Sequence, residues 1–279
     1  MRKNSRHWRR TVAKAPKFHL ESLDPRALLS VALHHGLLTI GGTEAADIIN
    51  VSVDPAGADL VVDLNGQAFN FDLSLLRGLR INTRGGDDAV TIADGVLLDA
   101  TIRGGSGNDS LDGGDGDDVL RGDSGDDSLS GGLGDDRERG DAGDDELSGG
   151  DGDDALDGGA GDDTESGDAG DDRCRGGAGS DSVDGGAGND EVRGDAGDDS
   201  LDGGEGNDSL HGGAGNDDET GDLGDDELDG DAGNDQLHGG DGADDLDGGA
   251  GDDTETGDEG ESRVAQGTTT CMAATGTMI

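Results

Sequence analysis

The sequence predicts an all-β protein built from short repeats, and three observations lead to that prediction. A nine-residue unit recurs without insertion over residues 104–256, short runs of alternating apolar residues precede it, and glycine accounts for 58 of the 279 residues. Apolar residues at a period of two are typical of strands, and units this short stack on their neighbours instead of forming separate cores. The chain divides into a basic segment (1–35), a β-rich cap (36–103), the repeat (104–256) and a tail (257–279).

Negative charge dominates the composition. The chain has 67 Asp and Glu against 19 Lys and Arg, a formal net charge of -48 and about 1% aromatic residues. So few large apolar side chains cannot offset the entropy of ordering the backbone, which favours disorder unless something neutralises the carboxylates. Constitutive disorder with loose cation binding therefore stays an alternative. The acidity argues against nucleic acid as a partner, because phosphates are bound by clustered Lys and Arg, and it favours a hard metal cation.

The cysteines and the apolar segments argue against two further classes. Cys174 and Cys271 show no paired spacing, so the sequence predicts neither a disulfide framework nor a Cys-ligated metal. No apolar run approaches the roughly 20 residues that a bilayer-spanning helix needs. We therefore expect no transmembrane span.

The basic segment, residues 1–35, is typical of a targeting sequence. Eight of the 19 basic residues lie within the first 26 positions, as in the first part of an export signal, but the apolar stretch Ala27–Leu33 is short. A cleaved signal peptide, an uncleaved sorting segment and a short amphipathic helix ending near Gly36 all stay open. The string LESLDPRALLS (Leu20–Ser30) resembles the LEPR-XLL motif near the N-termini of large secreted or surface proteins of planctomycete-type bacteria.

The cap, residues 36–103, carries the patterns of short strands. Leu60, Val62 and Leu64 alternate with other residues and Phe69 and Phe71 do so again after Asn65-Gly66. Asn-Gly between two alternating runs indicates a β-hairpin, because both residues tolerate positive φ. We expect this region to close one end of the repeat stack. Further strands are predicted at 37–42, 47–53, 89–93 and 100–105.

The repeat contains 17 consecutive units, beginning at Gly104. Positions 1 and 4 are Gly and position 6 is Asp in all 17 units. Position 2 is Gly in eleven units and Asp in six, and position 8 is Leu or Val in twelve. Three invariant positions over 17 units cannot arise by chance.

This pattern matches GGxGxDxUx, where U is a large apolar residue, and it resembles the RTX (hemolysin-type) calcium-binding nonapeptide repeat. The resemblance implies a parallel β-roll, a β-solenoid in which two units complete an 18-residue coil and successive units alternate between two facing sheets. It also implies that multiple Ca²⁺ ions bind at position 6. The candidate metal ligands are Asp109, Asp118, Asp127, Asp136, Asp145, Asp154, Asp163, Asp172, Asp181, Asp190, Asp199, Asp208, Asp217, Asp226, Asp235, Asp244 and Asp253.

The residue types of the unit suit that arrangement. Gly at positions 1, 2 and 4 would let the turn adopt positive φ, and Asp109 would lie beside Asp127 on the next coil. Carboxylates so close repel each other unless a cation lies between them. Ca²⁺ takes about six to eight oxygens from carboxylates and carbonyls, whereas Mg²⁺ demands a tighter octahedron and Zn²⁺ prefers nitrogen and sulfur. We therefore expect calcium, and we expect folding to depend on it, because one apolar residue per unit is too few.

Position 8 predicts a narrow apolar seam between the sheets, with exceptions. Cys174 stands at this position and is expected to act as a small hydrophobe. His211 and His238 at position 9 are expected to be solvated and on opposite sheets. Glutamate occupies position 8 in four units, where degenerate repeats with a loosened seam and a specific site are the two interpretations: Glu138, Glu165, Glu219 and Glu255.

The function expected from the sequence is calcium binding by a secreted or cell-surface protein that is not an enzyme. Residues 36–103 are too few for a protease or lipase domain and contain no HExxH motif, no GxSxG motif and no histidine. A structural or adhesive role, with a partner at a cell surface or in a matrix, fits these features. The alternative is a remnant or accessory module of an RTX toxin or hydrolase whose catalytic domain is absent from this chain. The tail, at residues 264–279, resembles the uncleaved C-terminal secretion signal of type-I exporters.

Overall fold

A computed structural model of the chain describes residues 29–257, 263–264 and 270–273. The prediction of an all-β fold is confirmed: the described residues form 27 strands in two sheets and contain no α-helix. In the same part of the chain, no helix is long and apolar enough to cross a membrane. The LEPR-XLL-like string lies almost wholly outside the described residues, as does most of the tail.

Seven strands form the region before the repeat, together with one 3-10 turn at Leu73–Leu75. Their bounds are β1 Ser30–His34, β2 Leu37–Gly41, β3 Ile48–Val53, β4 Asp59–Leu64, β5 Gln67–Asp72, β6 Gly78–Gly85 and β7 Ala89–Ile92.

Twenty strands follow, at nine-residue intervals through the repeat. They are β8 Ala100–Ser106, β9 Ser110–Asp115, β10 Val119–Ser124, β11 Ser128–Leu133, β12 Arg137–Ala142, β13 Glu146–Asp151, β14 Ala155–Ala160, β15 Thr164–Ala169, β16 Arg173–Ala178, β17 Ser182–Ala187, β18 Glu191–Ala196, β19 Ser200–Glu205, β20 Ser209–Ala214, β21 Asp218–Leu223, β22 Glu227–Asp229, β23 Gln236–His238, β24 Asp245–Asp247, β25 Thr254–Gly257, β26 Arg263–Val264 and β27 Thr270–Ala273.

Successive strands of the repeat belong alternately to two parallel sheets. Sheet A has the order β1-β2-β6-β8 and then every even strand to β26, and sheet B runs from β5-β4-β3-β7-β9 through every odd strand to β27. The register is offset by 18 residues, so that Leu120 pairs with Glu138 in sheet A and Leu129 with Leu147 in sheet B. The structure is therefore a parallel β-solenoid with two units per coil, as the sequence predicts.

The interior is one continuous apolar cluster between the two sheets. It begins at Leu38 in β2 and extends along the position-8 side chains to Leu246 in β24. Position 8 faces inward because side chains alternate across a strand, and the flanking positions 7 and 9 face outward. Phe69 and Phe71 are only partly buried against this cluster.

The cap strands continue both sheets and end them with antiparallel pairs. β2 and β6 extend sheet A and β3 and β7 extend sheet B in parallel. The hairpin predicted at Asn65-Gly66 is formed, with β4 antiparallel to β5 and φ of 53° and 80° at the two turn residues. β1 pairs antiparallel with β2, so the alternative of a helix ending near Gly36 is wrong over Ser30–His34. β6 is not among the predicted strands, although its alternating inward residues Leu79 and Ile81 are a signal for it.

The glycines of the unit serve two different purposes. Position 2 has φ in the left-handed range in every unit, and so does position 4 except in the last three units, as at Gly159 (113°) and Gly161 (138°). The six Asp at position 2 share this backbone, with φ between 60° and 79°. Positive φ at position 1 was also predicted, and this is wrong: among the described residues no position-1 glycine has φ in that range. Position 1 requires glycine for space.

Candidate metal sites

The 17 position-6 aspartates lie in two rows, one along each line of turns. All of them are buried, with at most 3% of their surface exposed. The first row precedes the strands of sheet B and the second precedes those of sheet A. The first row is Asp109, Asp127, Asp145, Asp163, Asp181, Asp199, Asp217, Asp235 and Asp253, and the second is Asp118, Asp136, Asp154, Asp172, Asp190, Asp208, Asp226 and Asp244.

One carboxylate oxygen of each aspartate ties neighbouring coils together. The backbone N–H of Asp109 donates to Oδ1 of Asp127 at 2.7 Å, and the N–H of Asp127 donates to Oδ1 of Asp145 at 2.8 Å. The second row repeats the contact, as from Asp118 to Asp136 at 2.7 Å. The adjacency predicted for these carboxylates on successive coils is therefore present.

In 16 of the 17 aspartates the other oxygen, Oδ2, is buried and accepts no hydrogen bond from the described residues. Asp244 is the exception. A buried carboxylate oxygen without a partner is costly, because its water has been removed and nothing replaces it. Native proteins contain few such atoms, and each of them calls for a missing partner such as an ion. Sixteen such atoms lie in two regular rows, and a row of bound cations would satisfy them.

Position-1 glycine provides the space for this oxygen. A Cβ on Gly158 would lie 2.5 Å from Oδ2 of Asp163, and one on Gly185 would lie 2.8 Å from Oδ2 of Asp190. At position 4, the carbonyl oxygen of Gly143 lies against the Cα of Gly161 one coil on. Carboxylate and carbonyl oxygens thus line each turn, and a side chain at either glycine would collide with them.

Burial raises the pKa of 15 of the 17 aspartates in these rows. For Asp127 desolvation is the largest cause, the hydrogen bond from the Asp109 N–H opposes it, and repulsion from the carboxylates of Asp109 and Asp145 adds to it, giving a pKa of about 7. The same causes raise the pKa of Asp136 to about 7 and that of Asp181 to about 6. An unfolded Asp titrates near pH 3.9. The ionised form of these groups is therefore destabilised in the folded rows, and a proton or a cation on them would relieve this.

The first row extends into the cap, at an aspartate that is not among the predicted metal ligands. Oδ1 of Asp88 accepts from the N–H of Asp47, the N–H of Asp88 donates to Oδ1 of Asp109, and Oδ2 of Asp88 is again buried without a partner. The signal is the string Gly85-Gly86-Asp87-Asp88, which begins like a unit but is separated from Asp109 by 21 residues instead of 18. The extra residues between Asp88 and Asp109 interrupt the regular spacing by which the units are recognised.

A second ladder at position 5 was also not foreseen. On the exposed side of the turn, the N–H of Asp126 donates to Oδ1 of Asn108 at 3.1 Å and that of Asp144 donates to Oδ1 of Asp126 at 3.2 Å. The signal is that 15 of the 17 units have Asp or Asn at position 5. These two residue types accept from a backbone N–H one coil away, and so support the turn from outside.

The exceptions at position 8 are buried. Cys174 lies in the interior, where burial raises the pKa of its thiol well above the usual range, and it packs as an apolar residue. Of the four glutamates, Glu138 is on sheet A and the other three are on sheet B, as the unit numbers predict. Burial also raises the pKa of Glu165 and Glu219 to about 8.

The two histidines lie half-buried on the outer faces, His211 on sheet A and His238 on sheet B. The opposite placement was predicted. His211 approaches Asp229 and Asp231. Each of the three residues offers one atom that could ligate a metal, and these three atoms lie within 4.8 Å of one another. This group stands outside the two rows.

The candidate ligand atoms in the two rows are of the kind that Ca²⁺ prefers. Every candidate ligand is an oxygen, from carboxylates of adjacent coils and from backbone carbonyls of the turn, and Ca²⁺ accepts both kinds in a flexible geometry. Nitrogen and sulfur donors, which Zn²⁺ prefers, are missing from the described turn positions. The orphaned oxygens recur at every coil, as a row of ions would require.

The chain matches one known family. The profile described as RTX calcium-binding nonapeptide repeat (4 copies) matches residues 94–129, 103–138, 130–165, 166–201, 184–218 and 220–255. Together these segments span more than half of the chain and contain all 17 position-6 aspartates. No curated protein matches the chain.

Proposed function

Because the chain belongs to the RTX calcium-binding nonapeptide repeat family, we propose that it is an extracellular structural protein whose roll folds when Ca²⁺ binds. In this proposal the 17 position-6 aspartates are the carboxylate ligands, and carbonyls of the turns complete the coordination. Bound calcium supplies positive charge between carboxylates of adjacent coils.

The rows of buried Oδ2 atoms carry this proposal. In stacked coils each of these carboxylates is fixed in orientation, because its Oδ1 accepts a backbone N–H from the neighbouring coil while its Oδ2 is left without a partner among the described residues. Neutralising them removes the repulsion along a row, which no arginine or lysine in the described turns does. Binding energy then becomes folding energy, because the site forms only when two coils are stacked.

The proposed extracellular location rests on where calcium is abundant enough to fill such sites. Extracellular calcium modules work at dissociation constants of about 0.1–1 mM, a concentration found outside cells. A chain that repels itself without calcium stays extended until it reaches such a medium. The basic segment and the LEPR-XLL-like string support export.

A structural role is supported by how the cap joins the roll. β2, β3, β6 and β7 continue the two sheets of the repeat, and the antiparallel strands β1, β4 and β5 cover the end of the stack. Covering that end protects open strand edges from pairing with other chains. In this proposal the cap serves the roll and is not a catalytic unit.

Far-ultraviolet circular dichroism tests the proposal. In EGTA the full chain should give a spectrum that is mostly coil, with β signal from the cap alone, and in millimolar CaCl2 it should give a strong β spectrum. MgCl2 at the same concentration is the matched control. Mg²⁺ should be much less effective, since it requires a tighter octahedron and keeps its water. Identical spectra in EGTA and CaCl2 would refute the coupling of folding to calcium.

A further inference from the structure

The four glutamates at position 8 are the most unusual buried groups of the molecule. Their exposed fractions lie between 0% and 2%, in a seam where leucine or valine is usual. Both carboxylate oxygens of Glu138 and Glu219, and Oε2 of Glu165 and Glu255, accept no hydrogen bond from the described residues. An apolar seam that had merely decayed would not be expected to retain four buried carboxylates at such cost.

These side chains reach toward the rows of aspartates. Oε1 of Glu165 accepts from the N–H of Gly158 at 2.6 Å, and Oε1 of Glu255 accepts from the N–H of Gly248 at 2.9 Å. In each case the donor is the position-1 glycine of the same unit: Gly158 lies in β14 of the opposite sheet, and Gly248 directly follows β24 of that sheet. The longer glutamate side chain crosses the interior and ends at the turn.

There it meets the position-6 carboxylate. A Cβ on Gly158 would lie 2.5 Å from Oδ2 of Asp163 and 2.7 Å from Oε1 of Glu165. In unit 13 a Cβ on Gly212 would lie 2.5 Å from Oδ2 of Asp217 and 2.6 Å from Oε1 of Glu219. Two carboxylates from one unit thus converge on the same small space.

The sequence of these units is also distinct. Each of the four glutamates is followed two and three residues later by Gly-Asp, so that the next position 2 is Asp: Asp141, Asp168, Asp222 and Asp258. Among the thirteen other units only Leu120, Val192 and Leu228 are followed in this way. Glutamate at position 8 therefore belongs to a recurring form of the unit, which independent decay of single positions would not produce.

We propose that Glu138, Glu165, Glu219 and Glu255 are calcium ligands that reach the position-6 sites from inside the roll, and that their four units bind calcium more tightly than the others. The proposal rests on the proposed calcium-dependent folding. More negative charge among the ligands raises affinity for Ca²⁺. The four units would then take up calcium first and become the points from which stacking spreads along the roll.

Substitution by leucine separates this proposal from a decayed seam, because the two make opposite predictions. Leucine restores the common seam residue, so under decay Glu165→Leu and Glu219→Leu would fold at a lower calcium concentration than the parent chain. Under the proposal both variants need more calcium. Glu165→Gln, which keeps the shape and removes the charge, should shift the midpoint in the same direction as Glu165→Leu.

The experiment is a calcium titration of the full chain followed by circular dichroism, with bound calcium counted by equilibrium dialysis. Glu146→Leu and Glu146→Gln are matched controls, since Glu146 follows a position-6 aspartate but is exposed at position 7. We expect the controls to match the parent, and the Glu165 and Glu219 variants to lose the most tightly bound part of the isotherm, about one ion per substituted unit. A lower folding midpoint, or an unchanged binding isotherm, would overturn the proposal.

The outcomes also distinguish this proposal from the proposed function. If the parent chain does not fold with calcium, calcium-coupled folding itself fails. If the parent folds with calcium and the leucine variants fold more easily, only the role of the glutamates fails. A variant that does not fold at any calcium concentration is replaced by its glutamine counterpart, whose shape fits the seam.

Discussion

In the cap, neighbouring strands fill the space between the sheets with pairs of aliphatic side chains, whereas a strand of the roll contributes at most one. β2 buries Leu38 and Ile40 and β6 buries Leu79 and Ile81. In the roll the second inward position of the strand is the position-1 glycine, beside which the aspartate carboxylate lies. The same two sheets therefore change from an apolar interior to one that also holds buried carboxylates, and the change occurs at the first complete unit.

Removal of calcium should produce the largest difference in stability between the cap and the roll. In EGTA we expect backbone amides of units 104–256 to exchange with solvent rapidly, because repulsion along the rows is uncompensated. Amides of β2, β3, β6 and β7 should stay protected, because their core is aliphatic. Hydrogen exchange followed by mass spectrometry, with and without calcium, gives both results in one experiment. Equal loss of protection in the cap and the roll would contradict the comparison.

Acid should partly replace calcium in the roll. Burial raises the pKa of Asp127 and Asp136 to about 7 and that of Glu165 and Glu219 to about 8. Unfolded Asp and Glu titrate near pH 4. The folded roll therefore holds more protons than the unfolded chain between about pH 4 and pH 8, and its calcium-free stability falls as the pH rises through this window.

We expect β-structure in EGTA at pH 5 that is lost by pH 8, measured by circular dichroism. The control is the same pH series in excess calcium, where β-structure should persist at pH 8. A calcium-free spectrum that is the same at both pH values would show that protons cannot replace the cation.

Much of this comparison could be predicted from the sequence, for physical reasons. The invariant Asp at position 6 has one role in every unit, so its burial and its contact with the next coil follow from the period of nine. The purpose of glycine at position 1 did not follow, because the sequence does not show that a carboxylate oxygen occupies the place of a Cβ. Asp88 was missed because the spacing to Asp109 exceeds the period, and the inward reach of Glu165 depends on a cross-sheet contact with Gly158.

A single substitution inside a row should have a smaller, local effect. Asp181→Ala removes the Oδ1 acceptor for the N–H of Asp163 and a proposed calcium ligand in the middle of the roll. We expect a higher calcium midpoint and fewer bound ions. Ser180→Ala is the matched control. Ser180 is next to Asp181 but exposed to solvent, and the substitution keeps the hydrogen bond from its backbone N–H to Asp162. Equal effects of the two substitutions would remove the ligand role from position 6.

Truncating one aliphatic residue in each region should affect different measurements. Ile81→Ala in β6 opens a cavity in the cap and should lower its stability by about 2–5 kcal/mol, seen as faster exchange of β2 and β6 amides in EGTA. Leu201→Ala in β19 should leave that exchange unchanged and raise the calcium midpoint of the roll. If both variants altered only the calcium midpoint, the cap would have no stability of its own.

The smallest effect is expected from charges on the outside of the roll. All six arginines of the repeat lie on sheet A, and Arg121 pairs with Asp123 and Asp141 on its outer face. Arg121 is exposed and the two carboxylates are only partly buried, so solvent screens the pairing and Arg121→Ala should cost less than about 1 kcal/mol. Chemical denaturation in saturating calcium measures this, with Ser130→Ala on sheet B as the control. A loss as large as that of Asp181→Ala would mean that the outer ion pairs, and not only the inner carboxylates and their cations, hold adjacent coils together.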